Sequence, residues 1–345
     1  MESSEEWTFV PIKSKKSSGS NSKNKKREQQ LSKAKNLQKS LQSNADEDNK
    51  NFTEVQKINL IKTTEKCIIE LKESLGSSDE SKDNEISFFS ALLDGIIDKT
   101  FNGESHRCIN EIVCYGIGNF YTARMDKYNP SLIQLACIIA LRDELTERYS
   151  EKLESSSKCE KQLSASSSNS ISLVYFEPFI VPIEREVLLH FNVKIIDKNE
   201  QGKRKINADN RNSKNVKDCT LFYMPHCPMR LYSNVLWANW SEELMFNRIL
   251  LLGNSFKAYD DRIVASSRKL GDKTNAIFPL LPFIHEQSIL LKQTSKKQNE
   301  ISNDDLEKAF NDCVVISFQN DKGKPFPPQP EEYIIQETTT EEIFV

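Results

Sequence analysis

The stretch EIVCYGIGNF, residues 111–120, places two glycines one residue apart directly after an apolar run. Gly116 and Gly118 suit a turn whose backbone takes positive φ angles or whose amide N–H groups approach a bound anion. A dinucleotide-binding turn has a third glycine three residues after the second, where this chain has Tyr121. A methyltransferase-type turn has an acid two residues before the first glycine, and Cys114 stands there. The turn therefore indicates either a ligand-binding loop of neither type or a tight corner between a strand and a helix.

Polar residues also follow three other predicted strands. Glu177, His226 and Asn254 each stand at or just after the end of an apolar strand. The carboxyl ends of parallel strands meet at one edge of a sheet, where ligands bind at the point at which strand order reverses. Glu177 occupies the place from which an acid often holds a ribose, although it follows the glycines by about 60 residues rather than ~20. We therefore predict that a small polar or anionic ligand is bound by Gly116, Gly118, Asn119, Glu177, His226 and Asn254.

His226 and Cys227 carry the most reactive side chains of this predicted edge. A histidine there suits acid–base chemistry or ligand binding, or it holds the loop in shape through hydrogen bonds. The dipeptide Cys227–Pro228 is a pattern associated with regulatory haem binding through the thiolate, which makes Cys227 a candidate haem contact.

Other catalytic and metal-binding patterns are not recognisable. The chain has eight cysteines, none in a CxxC pair, and four histidines, whereas structural zinc ligands usually come in close pairs. No Ser-His-Asp order, HExxH helix, Walker A loop or pair of carboxylates is legible. We therefore predict no metal site, and the sequence identifies neither catalytic residues nor a cofactor.

Alternating strands and helices must position these residues. Apolar runs such as RILLLG are typical of strands that are buried on both faces. We predict an α/β fold, a Rossmann-like doubly wound, mostly parallel sheet with helices on both faces, in which the first and fourth strands are neighbours. The predicted strands are 112–115, 173–176, 194–196, 220–224, 249–252 and 314–318; the predicted helices are 52–75, 86–100, 130–149, 183–191, 231–243, 255–266 and 304–310.

The two ends of the chain differ from its centre in composition. Residues 1–51 include ten Lys or Arg between positions 13 and 39, which predicts a disordered Lys/Ser/Asn-rich arm. Its cluster of Lys23, Lys25, Lys26 and Arg27 suits nuclear import or weak contact with nucleic acid, or is only part of a solvated tail. We predict an amphipathic helix and linker over 52–80, the α/β domain over 86–318, and a disordered acidic, proline-containing tail over 319–345.

Charge and hydropathy limit the class of protein. The net charge of −3 excludes a chain that coats nucleic acid along its whole length. No apolar run approaches the ~18 residues that span a bilayer, and the acidic start MESSEEWTF is unlike a signal peptide. We therefore expect a soluble intracellular protein without membrane contact, cytoplasmic, and nuclear if the basic cluster directs import.

Five co-linear blocks resemble the sensitivity-to-red-light-reduced (SRR-like) domain family. They are CYGIGNF with SLIQLACIIALRDEL, VYFEPFIVPIEREVL, TLFYMPHCPMRLYSNVLWANW, RILLLGNSF and KAFNDCVVISF, which together cover roughly residues 86–318. The resemblance implies an α/β domain of eukaryotic regulatory proteins. Members are linked to light and circadian signalling in plants, to clock-gene expression and haem biosynthesis in animals, and to microtubule stability in a fungus. No reaction is assigned to the family, so the resemblance implies no catalytic residue.

The residues and the resemblance together predict a non-catalytic regulatory protein. It would act through protein partners and bind a small ligand at the carboxyl edge of its sheet. The alternative is a nucleotide- or S-adenosylmethionine-dependent transferase that uses the Gly116 turn, Glu177 and His226.

Overall fold

The computed structural model describes nine stretches of the chain: 52–73, 88–101, 106–122, 128–156, 170–206, 216–259, 274–289, 301–320 and 323–332. The predicted basic arm with Lys23, Lys25, Lys26 and Arg27 lies outside them. So do the predicted linker after residue 73, the polar loops 157–169 and 207–215, and the tail beyond residue 332.

Seven strands of the described chain form one sheet. They are β1 (His106–Tyr115), β2 (Ser172–Phe176), β3 (Lys194–Ile195), β4 (Val216–Met224), β5 (Ile249–Asn254), β6 (Ile284–Ser288) and β7 (Cys313–Phe318). Their order across the sheet is β3-β2-β1-β4-β5-β7-β6. The first five strands are parallel, and β7 is antiparallel to both β5 and β6. β1 lies between β2 and β4, with Val113 opposite Val174 and Phe222, so strand order reverses where the sequence predicted.

Helices cover both faces of this sheet. They are α1 (Glu54–Glu73), α2 (Phe88–Phe101), α3 (Pro130–Ser156), α4 (Pro182–His190), α5 (Met229–Ala238), α6 (Glu242–Asn247), α7, which is described over 256–259, and α8 (Asn303–Phe310). On one face, Tyr223 of β4 donates its hydroxyl to the Gln134 carbonyl of α3 (2.8 Å). On the other face, Phe222 packs in a cluster with Val235 of α5 and Met245 of α6. The predicted α/β fold is confirmed.

The element ends follow from local sequence. In α1, the buried residues Leu60, Thr64, Cys67 and Leu71 recur every three or four positions, so one stripe faces α3 and α4. The α8 helix begins after Ser302, whose Oγ accepts the N–H of Asp305 (3.2 Å). None of the described helices has both the length and the apolar character that crossing a membrane requires.

The prediction of one helix over 231–243 is wrong, because the chain turns between α5 and α6. Asn239 caps the end of α5, and its side chain accepts the Ile206 N–H (2.9 Å) while donating to the Arg204 carbonyl (2.9 Å). Ser241 then begins α6, its Oγ accepting the Leu244 N–H (3.2 Å). Asn239 therefore ends α5, and Ser241 caps the N-terminus of α6.

The antiparallel β6–β7 pair was not predicted. The apolar run IFPLLPFI forms a short 3-10 helix, Phe278–Phe283, since its prolines cannot continue an α-helix. It leads into β6, whose sequence IHEQS lacks the apolar pattern of a strand but pairs with the fully buried β7.

Part of the predicted disordered tail lies against the folded domain. Residues 323–332 form neither helix nor strand, but Trp237 and Trp240 donate their indole N–H groups to the carbonyls of Pro330 and Pro327 (3.0 Å each). The prediction of disorder does not hold for these residues. Composition alone missed the contact because its donors come from residues about 90 positions earlier in the chain.

Candidate functional site at the carboxyl edge of the sheet

The glycine turn follows β1 directly. Gly116 and Gly118 adopt φ angles of +66° and +82°, a region that glycine enters without steric cost. The Gly116 N–H donates to the Phe176 carbonyl (3.1 Å), and the Gly118 N–H donates to Glu177 Oε2 (2.8 Å). The two glycine amides expected to face a ligand therefore bond to residues at the end of β2.

Glu177 thus lies against the turn, as its position at the end of β2 suggested. Its other oxygen, Oε1, accepts the Phe179 N–H (3.2 Å), and the residue is only 7% exposed. Burial raises the pKa of the Glu177 carboxyl above its usual value, and the two N–H donors oppose that rise. The carboxylate occupies a place where an anionic ligand would meet the turn.

A second buried carboxylate, Glu184 of α4, holds the rest of the turn. Its Oε1 accepts the N–H groups of Phe120 (2.6 Å) and Tyr121 (2.8 Å). Its Oε2 accepts from Asn119 Nδ2 (3.1 Å) and from the Val181 N–H (3.2 Å). Burial raises the pKa of Glu184, and these four donors oppose the rise. Four donors around one fully buried carboxylate make Glu184 the most heavily bonded side chain described at this edge.

Glu184 was not among the predicted site residues, although the sequence around it contains a helix-start pattern. Pro182 begins α4 and Glu184 stands in the first turn, a pattern typical of a helix start. The carboxylate reaches back to the Val181 N–H, as a glutamate in the first turn commonly does. The pattern could not reveal that the same carboxylate also holds a loop more than 60 residues earlier in the chain.

Cys227 joins the glycine turn to the loop after β4. Its buried Sγ donates to the Tyr115 carbonyl (3.3 Å), and a Cβ placed on Gly116 would lie 2.9 Å from the same sulfur. Glycine at position 116 is therefore required both by its φ angle and by this contact. Burial raises the pKa of the Cys227 thiol far above its usual range, which favours the protonated form that donates to the Tyr115 carbonyl. Cys227 as a haem contact stays a prediction.

His226 and Asn254 form the other half of the edge. The His226 backbone, at φ +56°, donates its N–H to Asn254 Oδ1 (2.8 Å). The ring Nε2 lies 3.0 Å from the Ala309 carbonyl near the end of α8, and a carbonyl can only accept, so Nε2 carries the proton. Asn254 Nδ2 donates to the Tyr259 hydroxyl (2.7 Å) and to the Cys227 carbonyl (3.3 Å). Both side chains therefore hold the loop after β4 against its neighbours.

The structure brings all the predicted ligand-binding residues to one edge. Gly116, Gly118, Asn119 and Glu177 form one cluster, His226 and Asn254 form a second, and Cys227 contacts both. Most of their polar groups bond to each other, to Glu184 or to the main chain. In the part of the chain that the structure describes, no group of three His, Cys, Asp or Glu residues is placed to hold a metal ion.

A cavity of about 970 Å³ lies at the opposite edge, where the strands begin. Its walls include Glu111 of β1, Lys194 of β3, Asp218 of β4, and Arg142 and Asp143 of α3. Arg142 pairs with Asp143 (2.7 Å). This cavity was not predicted, because the candidate residues were sought at strand carboxyl ends.

Comparison with known proteins places the chain in a family. The model of the SRR1 domain matches residues 71–317, a range that includes the whole sheet except Phe318. The chain belongs to the SRR1 domain family. The glycine turn, Glu177, Glu184, His226 and Asn254 all lie within the matched SRR1 domain.

Two curated relatives carry the SRR1 name. An SRR1-like protein of Mus musculus is 30% identical over 153 residues, which are 44% of this chain and 47% of the mouse protein. Protein SENSITIVITY TO RED LIGHT REDUCED 1 of Arabidopsis thaliana is 25% identical over 182 residues, 51% of this chain and 53% of the plant protein. The chain thus spans about half the length of these relatives. Among solved structures, the plantazolicin methyltransferase BpumL is similar at 10% identity over 77% of this chain and 100% of that chain, with a TM-score of 0.25 too low to inform function.

Proposed function

We propose that this SRR1-domain protein is a regulatory protein that acts by binding and not by catalysis. The observation that carries the proposal is the state of the reactive groups at the carboxyl edge. Glu177, Glu184, His226 and the Cys227 thiol each bond to backbone groups of the protein itself. A general base or nucleophile must reach a substrate atom, and these groups are instead arranged as structural acceptors and donors.

The biological context of the proposal rests on the family. The name of the plant relative refers to sensitivity to red light. We infer a role in signalling of that kind, and the family resemblance extends the proposal to circadian control, clock-gene expression and regulation of haem biosynthesis. Because the Cys227 side chain is buried and its sulfur bonds to the Tyr115 carbonyl, we propose that a haem link would act through partners.

The proposed small ligand lies at the edge formed by Gly116, Gly118, Asn119, Glu177, His226 and Asn254. An anion there would compete with the Glu177 carboxylate for the Gly118 N–H. A neutral ligand with hydroxyl groups would instead donate to Glu177, so it needs no displacement of a buried charge. The proposal therefore favours a polyol, a sugar or a nucleoside over a free phosphate.

A transferase is the second candidate, and one observation favours it. Glu177 ends β2 and contacts the turn after β1, beside the reversal of strand order, the place from which an acid holds a ribose in dinucleotide-binding sheets. A nucleotide or S-adenosylmethionine bound there would use the same carboxylate. The two candidates differ in whether a bound cofactor is turned over.

Thermal unfolding of the full chain in the presence of nucleosides, nucleotides, S-adenosylmethionine and haemin tests both candidates. A compound that binds the native state raises the unfolding midpoint. At a concentration of 100 times its Kd, it adds about 2.7 kcal/mol to the free energy of unfolding. We expect a nucleoside-type ligand to stabilise wild type and to lose that effect in Glu177→Gln. His226→Gln, which keeps a donor, should weaken the effect while leaving the ligand-free midpoint nearly unchanged.

Three outcomes are decisive. Binding without turnover supports the regulatory proposal, and conversion of S-adenosylmethionine or a nucleotide to product establishes the transferase instead. If no compound shifts wild type and His226→Gln is strongly destabilised without ligand, the edge is structural and the ligand proposal fails.

The basic arm adds a proposal about location. Lys23, Lys25, Lys26 and Arg27 suit an import signal, so we propose that the protein resides in the cytoplasm and the nucleus. Replacement of all four by Ala should leave a tagged protein cytoplasmic without altering its melting temperature. An unchanged distribution would show that the cluster is not the signal.

A further inference from the structure

Two tryptophans on the α5–α6 side of the sheet hold part of the chain's own tail. Trp237 lies in the last turn of α5, and Trp240 follows it by three residues, before α6 begins. Their indole Nε1 groups donate to the carbonyls of Pro330 and Pro327, each at 3.0 Å. The tail segment, KPFPPQPEE at residues 324–332, is called the proline strap below.

The proline strap has the properties of a polyproline II helix. Proline fixes φ near −65° and restricts the residue before it to extended backbone, and four of the six residues 325–330 are prolines. A polyproline II helix has three residues per turn, so the carbonyls of Pro327 and Pro330 point to the same side. The burial pattern agrees, since Pro327 and Pro330 are half-buried whereas Pro325 and Pro328 are exposed.

An aromatic groove receives the strap. We define the tryptophan groove as Trp237, Trp240, Phe246 and Phe283. Phe326 of the strap packs against three of these rings, with centroid distances of 5.5 Å to Trp240, 5.8 Å to Phe246 and 6.4 Å to Phe283. The strap thus binds the groove through one aromatic side chain, Phe326, and through the backbone carbonyls of Pro327 and Pro330.

The polar contacts fix the direction of the strap. Gln329 Nε2 donates to the Trp237 carbonyl (2.9 Å). Glu332 pairs with Lys203 (2.6 Å), whose ammonium also lies 5.5 Å from the centre of the Trp237 ring. An acid two residues after the last proline therefore forms an ion pair with a lysine at the end of the groove.

We propose that the tryptophan groove is a recognition site for proline-rich segments of a partner protein, and that the proline strap is its ligand in cis. Aromatic grooves with indole donors are a recurrent way to bind polyproline II peptides, because such peptides lose little entropy on binding and present regularly spaced carbonyls. The strap itself shows which chemistry fits: an aromatic residue, then Pro-Pro-x-Pro, then an acid that meets Lys203. This site is separate from the carboxyl edge and does not depend on the ligand proposed there.

Exchange of the strap is favoured by how little of it is buried. Only Phe326, Pro327 and Pro330 among residues 323–332 are half-buried, and the others are exposed. The described polar contacts of the strap with the groove are a few hydrogen bonds and one exposed ion pair, which contribute modestly in water. Its advantage over a partner is tethering, which gives an effective concentration on the order of millimolar for a short linker. A partner peptide with the same contacts competes once the strap is weakened.

The test uses the full chain and a fluorescent peptide with the sequence of residues 323–332. Phe326→Ala removes the anchor of the cis ligand, so we expect it to bind the peptide at least tenfold more tightly than wild type by fluorescence anisotropy. Pro328→Ala is the matched control, because the Pro328 ring lies on the same strap but is exposed. This variant should bind the peptide as wild type does. Replacing both groove tryptophans by Phe in the Phe326→Ala chain keeps rings but removes the indole donors, and should abolish the gain.

Indole resonances provide a second readout in the wild-type chain. The chain has three tryptophans, so its ¹⁵N spectrum contains few indole signals, and excess peptide should shift those of Trp237 and Trp240 but not that of Trp7. If a folded Phe326→Ala chain binds no more peptide than wild type, or if the tryptophan replacements leave binding unchanged, the strap is a fixed part of the fold and the proposal is overturned.

Misfolding of Phe326→Ala and dimerisation of the full chain need separate readouts. Should Phe326→Ala fail to fold, Glu332→Gln weakens only the exposed ion pair with Lys203, and at least a twofold gain in peptide affinity is then required; its absence overturns the proposal. If the full chain instead dimerises with increasing concentration and the peptide dissociates that dimer, the groove binds the tail of a second copy, which overturns recognition of a different partner.

Discussion

Replacing Glu184 by Gln is the sharpest test of how the carboxyl edge is held together. The change keeps the size of the side chain and removes one acceptor oxygen and the charge. In the wild type, Oε1 accepts from the Phe120 and Tyr121 N–H groups and Oε2 accepts from Asn119 Nδ2 and the Val181 N–H. All four donors must meet one carbonyl oxygen and one NH₂ group after the substitution.

The expected loss follows from counting these bonds. Gln keeps the two shortest bonds if its carbonyl oxygen takes the position of Oε1, and its NH₂ group then faces Asn119 Nδ2 and the Val181 N–H, two donors. Rotating the Asn119 amide would relieve one conflict but would remove its bond to the Phe179 carbonyl (2.9 Å). A buried donor left unpaired costs about 1–3 kcal/mol and the Asn119 amide costs less because water can reach that exposed residue, so the free energy of unfolding should fall by roughly 2–4 kcal/mol.

Thermal and urea unfolding followed by circular dichroism measure this loss. For a domain of this size, a loss of roughly 2–4 kcal/mol corresponds to a fall of about 5–15 °C in the unfolding midpoint. Glu186→Gln is the matched control, because Glu186 lies on the same helix, is 59% exposed and pairs with Lys57 at 3.2 Å. An exposed pair contributes ~0–1 kcal/mol, so the control should unfold close to wild type. Equal midpoints for the two variants would refute the view that Glu184 holds the turn.

Three other predictions follow from the same edge. Burial raises the pKa of Glu177 in the folded state, so protonation of this carboxyl favours folding. The free energy of unfolding of wild type minus that of Glu177→Gln should be greatest below the unfolded-state pKa of ~4.5, should fall as pH rises through the folded-state pKa and should then level off. A difference that rises with pH would contradict this cause. Gly116→Ala should lower the free energy of unfolding by ~1–3 kcal/mol because of its φ of +66°, and further because its Cβ would contact Cys227 Sγ. Adding Cys227→Ala should therefore recover part of this loss in a double-mutant cycle measured by urea unfolding. Strict additivity of the two changes would show that the contact is unimportant. Cys227 should react with iodoacetamide far more slowly than the half-buried Cys108, since its buried thiol stays protonated, and equal labelling by mass spectrometry would place Cys227 nearer to solvent than the structure does.

The strands near the predicted site could be read from the sequence because their central or C-terminal parts are apolar. IVCY at the end of β1, LFYM at the end of β4 and ILLL at the start of β5 are apolar runs with polar residues soon after them, so both the strand type and the edge at which His226 and Asn254 meet were predictable. β6 was not, because IHEQS forms a strand through antiparallel pairing with β7 and carries no apolar pattern of its own. The break between α5 and α6 was also missed, since Asn239 caps a helix here by bonding to Ile206 and Arg204, which are distant in sequence.

The place of the candidate site residues in the fold was more predictable than their contacts. Types and strand ends predicted which residues gather at the edge, but hydrogen-bond partners depend on three-dimensional approach. Glu184 was overlooked because a glutamate near a helix start is ordinarily read as a cap, and its bonds to Phe120 and Tyr121 cross more than 60 residues. The proline strap was read as disorder for the same reason: its composition is typical of tails, and the residues that hold it, among them Trp237 and Trp240, are distant in sequence.

The filled amides of the glycine turn narrow the chemistry of any ligand at this edge. In a doubly wound sheet, the turn after the first strand commonly offers its N–H groups to a phosphate. Here the N–H groups of Gly118, Phe120 and Tyr121 already bond to two buried carboxylates. A phosphate would have to displace a carboxylate that is hydrogen-bonded and largely shielded from water, and would bring a second negative charge beside it. A hydroxyl group needs neither step, because it donates to an oxygen of Glu177 that already lies at the edge. For the ligand that we propose at this edge, the two carboxylates therefore favour a neutral, hydroxyl-bearing compound over an anion.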